Sequence, residues 1–190
     1  EFRRVLFRSL YQRGWMYRTF NGNLLFHGCV PLNEDGTFLK KVFHGVALSG
    51  RQLMDYADQV ARRAFYTGDQ EALDFMWYLW CGIGSPVYGK NKMTSFERYF
   101  IADSETWTEI KDPYYNLISD PAICDKILCE FGVDPESYSH IINGHVPVKI
   151  KKGESPIHAG GKLLVVRLVA LVLGHIRSEE RRVGKECRSR

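Results

Sequence analysis

The sequence predicts an α/β fold from three observations. Two short apolar runs, Asn23 to Phe26 and Ser139 to Asn143, each stop at a histidine beside a glycine. Segments of helical periodicity lie between them, and one more apolar run, Lys162 to Val166, follows them. Strands interleaved with helices make α/β the economical class.

Asn23 to Phe26 reads as a strand, and the loop Pro31 to Gly36 carries Asn33, Glu34, Asp35 and Gly36 as turn chemistry. From Gly50 the pattern becomes helical: Leu53, Ala57, Val60, Ala61, Ala64 and Phe65 recur at three- and four-residue spacing, and Gly68 is a natural stop. A second helix is predicted over Glu71 to Cys81. There Leu73, Phe75, Met76, Trp77, Leu79 and Trp80 are apolar nearly all round, which predicts burial on several sides and core packing rather than ligand stacking. Residues 82–96 form a loop rich in Gly, Pro, Ser and Lys, Phe96 to Ile101 a short element, and Asp112 to Asn116 a turn. Pro121 to Phe131 reads as a helix with proline near its start and Gly132 at its end. The strand Ser139 to Asn143, the Gly144-His145 loop, a basic segment with Lys149, Lys151 and Lys152, and the strand Lys162 to Val166 complete the reading. No internal repeat or low-complexity tract interrupts it.

The chain ends distort the bulk properties. Arg177-Ser178-Glu179-Glu180 can be encoded by AGATCGGAAGAG, whose reverse complement encodes Leu-Phe-Arg-Ser, the residues Leu6 to Ser9. Two natural termini would rarely be reverse complements, so residues 1–9 and 177–190 are expected to derive from sequencing adapters and are set aside like a tag. Residues 1–9 hold three Arg and one Glu, and residues 177–190 hold five Arg, one Lys and three Glu; removing these +2 and +3 contributions takes the formal +4 to −1. The basic pI of 8.8 then gives no support for a nucleic-acid partner.

At 190 residues, 45% hydrophobic and 13% aromatic, the chain has apolar mass for one domain core. Five cysteines, Cys29, Cys81, Cys124, Cys129 and Cys187, are odd in number and irregularly spaced, with no CxxC pair, which favours a reducing cytoplasm over a disulfide scaffold. The longest apolar run, Leu163 to Leu173, is broken by Arg167 and falls far short of the roughly 20 residues of a spanning helix, so no membrane partner is expected.

The histidines carry the chemistry. Neutral imidazole is a good ligand for zinc, manganese or iron, and a glycine beside it lets backbone approach an ion closely. His27 and His145 are therefore the candidate metal ligands, each delivered by the end of a strand. His140 starts the strand that His145 follows, roughly 15 Å away at standard rise, and reads as a core or surface histidine. His44 and His158 have no strand-end setting, and His175 lies in the C-terminal region. Cys29 reads as a small buried thiol rather than a ligand. Tyr114 and Tyr115 fit a sugar-packing or a core role equally.

Three long segments, Phe26-His27-Gly28-Cys29-Val30-Pro31-Leu32-Asn33-Glu34-Asp35-Gly36, Tyr88 to Phe100, and His140 to Lys149, resemble class III fructose-1,6-bisphosphatase of bacteria. That family belongs to the calcineurin-like binuclear metallophosphoesterases, in which a His-Gly and a Gly-His pair end strands and ligate metal. The resemblance runs from about Leu10 to Val166. It implies a partial metallophosphoesterase domain over residues 10–166, the C-terminal half of a sheet sandwich flanked by helices, with residues 167–176 a frame-shifted segment. The Asp-x-His, Gly-Asp-x-x-Asp-Arg and Gly-Asn-His-Asp/Glu segments expected in such enzymes do not occur upstream of His27, so the chain reads as an internal fragment, inactive alone.

The resemblance further implies a cytoplasmic gluconeogenic hydrolase that takes the 1-phosphate from fructose 1,6-bisphosphate. Two divalent ions, with manganese as the expected metal, would activate water for attack on phosphorus. The partner is then a small sugar bisphosphate, and the oligomeric state is not readable. No catalytic residue is assigned within this chain. Lys149 and Lys151, with Lys152, read either as substrate-attracting ammonium groups or as a solvated basic loop, and Arg98 either as a phosphate fork or as a structural ion pair. The contrasting function is a non-catalytic polyanion-binding module using Lys149 to Lys152.

Overall fold

The computed structural model describes residues 2–145 and 155–166, and all statements below concern those residues. Helix α1 (Phe2–Arg13) precedes strands β1 (Tyr17–Phe20), β2 (Asn23–Phe26), β3 (Lys41–Phe43) and β4 (Val46–Leu48). Helices α2 (Gly50–Thr67), α3 (Gln70–Cys81), α4 (Ser95–Phe100), α5 (Tyr114–Leu117) and α6 (Pro121–Glu130) follow, and then β5 (Ile141–Asn143), β6 (Ile157–His158) and β7 (Leu163–Val165). The fold is α/β with one mixed sheet in the order β1-β2-β5-β7-β6 and a separate β3-β4 hairpin.

The centre of the sheet is parallel: β2 runs beside β5, and β5 beside β7, while β1 and β6 close the edges antiparallel. Register places Leu24, Ile141 and Leu163 side by side, then Leu25, Ile142 and Leu164, then Phe26, Asn143 and Val165. The first row is fully buried, and the second is half-buried on the opposite face. Alternation along each strand therefore aims one face at the helices. That face meets Met54 of α2 and Cys124, Ile127 and Leu128 of α6, together with Tyr114, Ile118 and Phe131.

The helices form where the periodicity predicts them. Leu53, Met54, Ala57, Val60 and Ala64 make the buried stripe of α2, which ends at Gly68 in the left-handed region with φ 66°. The first turn of α2 finds a partner in α6: the Glu130 carboxylate accepts from the Arg51 N–H at 3.0 Å. Helix α6 begins with Asp120 capping the Ala122 N–H and with Pro121 in its first turn.

Three features depart from the sequence reading. The Asp112 to Asn116 turn is continued by the one-turn helix α5. Two hairpins, β1–β2 and β3–β4, were not expected; they turn on Asn21-Gly22 and His44-Gly45, with positive φ at both residues of each pair. The aromatic face of α3 is not buried on several sides. Only Ala72 and Leu79 are buried, whereas Trp77 and Trp80 are 63% and 56% exposed: α3 packs against α2 through Ala72, Phe75 and Met76 and against Phe43 of β3 through Phe75 and Tyr78, which leaves the tryptophan face uncovered among the described residues. No helix is long and apolar enough to cross a membrane among the described residues. Cys29, Cys81, Cys124 and Cys129 are free thiols, as the irregular spacing predicts.

Truncating the central row should unfasten the sheet. Ile141→Ala is expected to lower the unfolding free energy by about 2–5 kcal/mol in urea denaturation; a cost under about 1 kcal/mol would contradict a central position for β5.

Candidate metal centre

Parallel neighbours end on the same edge of a sheet, and ligands of α/β proteins collect at that carboxyl edge. Because Phe26 and Asn143 are register partners, the residues that follow them, His27 and Gly144-His145, emerge side by side. Gly144 N–H donates to the His27 carbonyl at 3.3 Å, extending the ladder one step beyond the strands. The two histidines, 118 residues apart in sequence, thus place His145 Nδ1 3.1 Å from His27 Nε2, with ring centroids 5.0 Å apart and planes at 88°.

Asn143 fastens this corner. It is buried, and its side-chain amide donates to the Gly28 carbonyl and, at 3.3 Å, to the Tyr114 hydroxyl. One amide therefore ties the end of β5 to the residue after His27 and to the core tyrosine of α5. The sequence reading missed this role, although the alternation that turns Ile141 inward turns Asn143 inward as well. Asp112 does comparable work behind the loop, accepting from the Leu32 N–H at 3.2 Å and the Tyr114 N–H at 2.9 Å. Burial pushes its carboxyl pKa upward against those bonds.

Gly28 is needed for a reason other than access to an ion. A Cβ there would stand 2.0 Å from the Pro86 carbonyl oxygen and 2.9 Å from the Val87 Cα, so the glycine admits the backbone of the 82–92 loop. Cys29 N–H donates to that same Pro86 carbonyl at 2.8 Å. The loop is braced by buried Ser85, whose hydroxyl donates to the Leu79 carbonyl and accepts from the Val87 and Tyr88 N–H groups. Lys90 lies farther along it and pairs with Glu109 at 2.5 Å.

The electrostatics keep the imidazoles neutral. Burial lowers the pKa of His27, and that of His145 is lowered by burial first, then by His27 and by the Lys90 ammonium, against a raising bond to the Tyr88 carbonyl. Neutral imidazole is the ligating form. In the neutral pair one nitrogen must carry the proton and the other accept it, or both must turn their lone pairs to a shared cation. The 3.1 Å spacing suits a direct hydrogen bond and is equally compatible with the second arrangement, in which nitrogens each about 2.1 Å from one ion stand roughly 3.0 Å apart at a right angle and 3.4 Å apart at the tetrahedral angle. Two nitrogens do not complete a site, and no group of three or more His, Cys, Asp or Glu able to hold a metal occurs among the described residues.

The other sequence candidates fall elsewhere. Arg98 donates to the Thr94 hydroxyl at 3.0 Å and the Trp107 carbonyl at 3.2 Å, and no carboxylate pairs with it among the described residues. Lys149, Lys151 and Lys152 lie outside the described residues, as do His175 and Cys187. Cys29 is fully buried with its thiol pKa pushed well up by burial, so it is the inert thiol expected. Tyr114 is a core residue, 1% exposed, which decides the choice left open for it. His140 pairs with Asn23 at 3.0 Å, and His44 with Glu71 at 3.2 Å.

Comparison with known proteins gives a consistent picture. The sequence model of a family described as Firmicute fructose-1,6-bisphosphatase matches residues 3–167. That span opens within the N-terminal stretch set aside above and closes one residue past Val166. The chain is 53% identical over 164 residues to the class 3 fructose-1,6-bisphosphatase of Clostridium novyi (strain NT), covering 84% of this chain and 24% of that protein. It is 52% identical over 164 residues to that of Clostridium tetani (84% and 25%), and 52% over 162 residues to that of Listeria monocytogenes serotype 4b (83% and 25%). The chain thus spans about a quarter of the length of these curated relatives. No solved structure matches it.

Two measurements check the corner. Gly28→Ala should destabilise by at least the roughly 1–3 kcal/mol of overpacking, and a neutral effect in thermal denaturation would refute the Pro86–Val87 contact. The lowered histidine pKa values mean that protonation opposes the folded arrangement: stability is full above the ordinary value of 6.5 and declines as pH falls through the depressed values. In NMR titrations both ring resonances of the metal-free chain should have midpoints below 6.5, and a midpoint above it for either ring would contradict the desolvated pair.

Proposed function

The chain belongs to the Firmicute fructose-1,6-bisphosphatase family, and from that membership we propose that it forms part of a cytoplasmic, metal-dependent enzyme hydrolysing fructose 1,6-bisphosphate to fructose 6-phosphate and phosphate in gluconeogenesis. The observation that carries the proposal is the 3.1 Å approach of the His27 and His145 ring nitrogens across 118 residues of sequence. The proposal includes the calcineurin-like metallophosphoesterase fold, supported by adjacent parallel strands that each end in a histidine.

In this reading His27 Nε2 and His145 Nδ1 hold a divalent ion, manganese in the proposal. Two such ions, when bound, supply charge that makes a water more acidic and offsets the charge of the phosphate under attack. The chain's own residues hold and orient. The lowered pKa values keep both imidazoles free of protons at neutral pH, so no proton must leave before they ligate. Asn143 ties the two loops together through the Gly28 carbonyl, which holds the histidines in their mutual orientation. Two nitrogens are fewer than a divalent ion takes, and this chain spans about a quarter of its relatives. The remaining donors in this reading belong to the part of those proteins that this chain does not span, and the chain alone turns over weakly or not at all.

The test uses a full-length family protein carrying this segment. Replacing His145 by alanine should lower manganese-dependent phosphate release from fructose 1,6-bisphosphate beyond the roughly 10- to 100-fold typical of losing an outer-shell partner. A variant with the parent rate and the parent manganese requirement would overturn the reading.

A further inference from the structure

Residues 90 and 111 form an isolated antiparallel bridge, flanked by the Asn91 N–H donating to the Ile110 carbonyl at 2.9 Å and the Asp112 N–H donating to the Gly89 carbonyl at 3.0 Å. Bonds on either side of the bridge, and none within it, define a non-hydrogen-bonded pair, the arrangement that brings opposed side chains closest, with Cβ atoms about 5 Å apart on one face. Both residues are lysines. Like charges directly opposite one another are destabilising.

An ion pair accounts for only one of them. Lys90 meets Glu109, whose carboxylate is anchored by the Thr94 N–H at 3.0 Å and hydroxyl at 2.9 Å and whose pKa is pulled down to about 2, mainly by its bond to Lys90. One carboxylate oxygen occupies one of the three N–H donors on the Lys90 ammonium. Lys111 is exposed, stands 5.8 Å from the Tyr115 ring centroid and has no carboxylate partner among the described residues. The segment that carries Lys90 is the one pressed onto Gly28 and bonded to Cys29 beside the histidine pair. The charge of Lys90 is also felt at His145.

We propose that Lys90 and Lys111 form a phosphate-binding pair at the edge of the histidine corner, with Glu109 as the positioning residue that aims Lys90. The assignment rests on the phosphatase reading above and deepens it, because it names the groups that grip a phosphate of the sugar bisphosphate. An oxyanion between two ammonium groups converts their mutual repulsion into two charge-assisted hydrogen bonds. Neither lysine was singled out from the sequence, where Lys90 sits in a loop and Lys111 before a turn.

The experiment titrates a full-length family protein carrying this segment with inorganic phosphate by calorimetry, and separately with manganese by following the free-ion paramagnetic resonance signal. Lys111→Gln should weaken phosphate binding about tenfold, as for loss of one charge-assisted hydrogen bond, and Lys111→Arg should retain most of it. Manganese affinity should be the same in all three proteins. Circular dichroism of these surface variants should match the parent. Phosphate affinity indifferent to Lys111→Gln, or no phosphate binding by the parent protein, would sink the assignment. The histidine reading fails on a different measurement, manganese affinity unaltered by His145→Ala, whatever the phosphate result.

Discussion

The parallel pairing of β2 with β5 is the constraint on which the rest depends. With Phe26 level with Asn143, the residues that follow are delivered to one edge, and a slip of one residue would send the partner side chains to opposite faces. The pairing is held by burial: Leu24, Ile141 and Leu163 form a continuous apolar row under α2 and α6, each contributing roughly 1.5–3 kcal/mol by leaving water. Asn143 then locks the strand end. A polar group in that buried place is stable only because both its partners are fixed.

Around the corner, burial separates groups by chemistry. The Cys29 thiol and the Tyr114 and Tyr115 hydroxyls sit behind the histidines with their pKa values driven upward, so all three stay protonated and none competes as an anionic ligand. The imidazoles are shifted the other way and stay unprotonated. The strand ends thus present unprotonated imidazoles backed by the protonated Cys29, Tyr114 and Tyr115 side chains. The 82–92 loop forms the opposite wall, and Gly28 is the place where wall and strand end touch.

Much of this was legible in the sequence. Strand β2 and helices α2 and α6 follow from period and punctuation, and the two histidines were identifiable because apolar runs stop at them. Their convergence was not legible from either run alone, since pairing order is a long-range property. The two hairpins were readable and were not read: Asn21-Gly22 and His44-Gly45 supply the consecutive positive φ angles that a tight two-residue turn needs. The α3 aromatics misled in the opposite direction, because an all-round apolar helix reports a lack of polar residues and not how many of its faces are covered: α2 and Phe43 take one side and leave Trp77 and Trp80 exposed. Lys90 and Lys111 were invisible because a bridge between two loops leaves no periodic signature.

The separation of 118 residues between the paired imidazoles has a bearing on biosynthesis. At translation speeds of about 5–20 residues per second, the ribosome exposes His27 roughly 6–24 s before His145 is made. Through that interval the nascent β2 has only its hairpin neighbour β1, and the flank reserved for β5 offers unpaired amides to other chains. The length of that interval is set by topology, because the partner strand lies late in the chain.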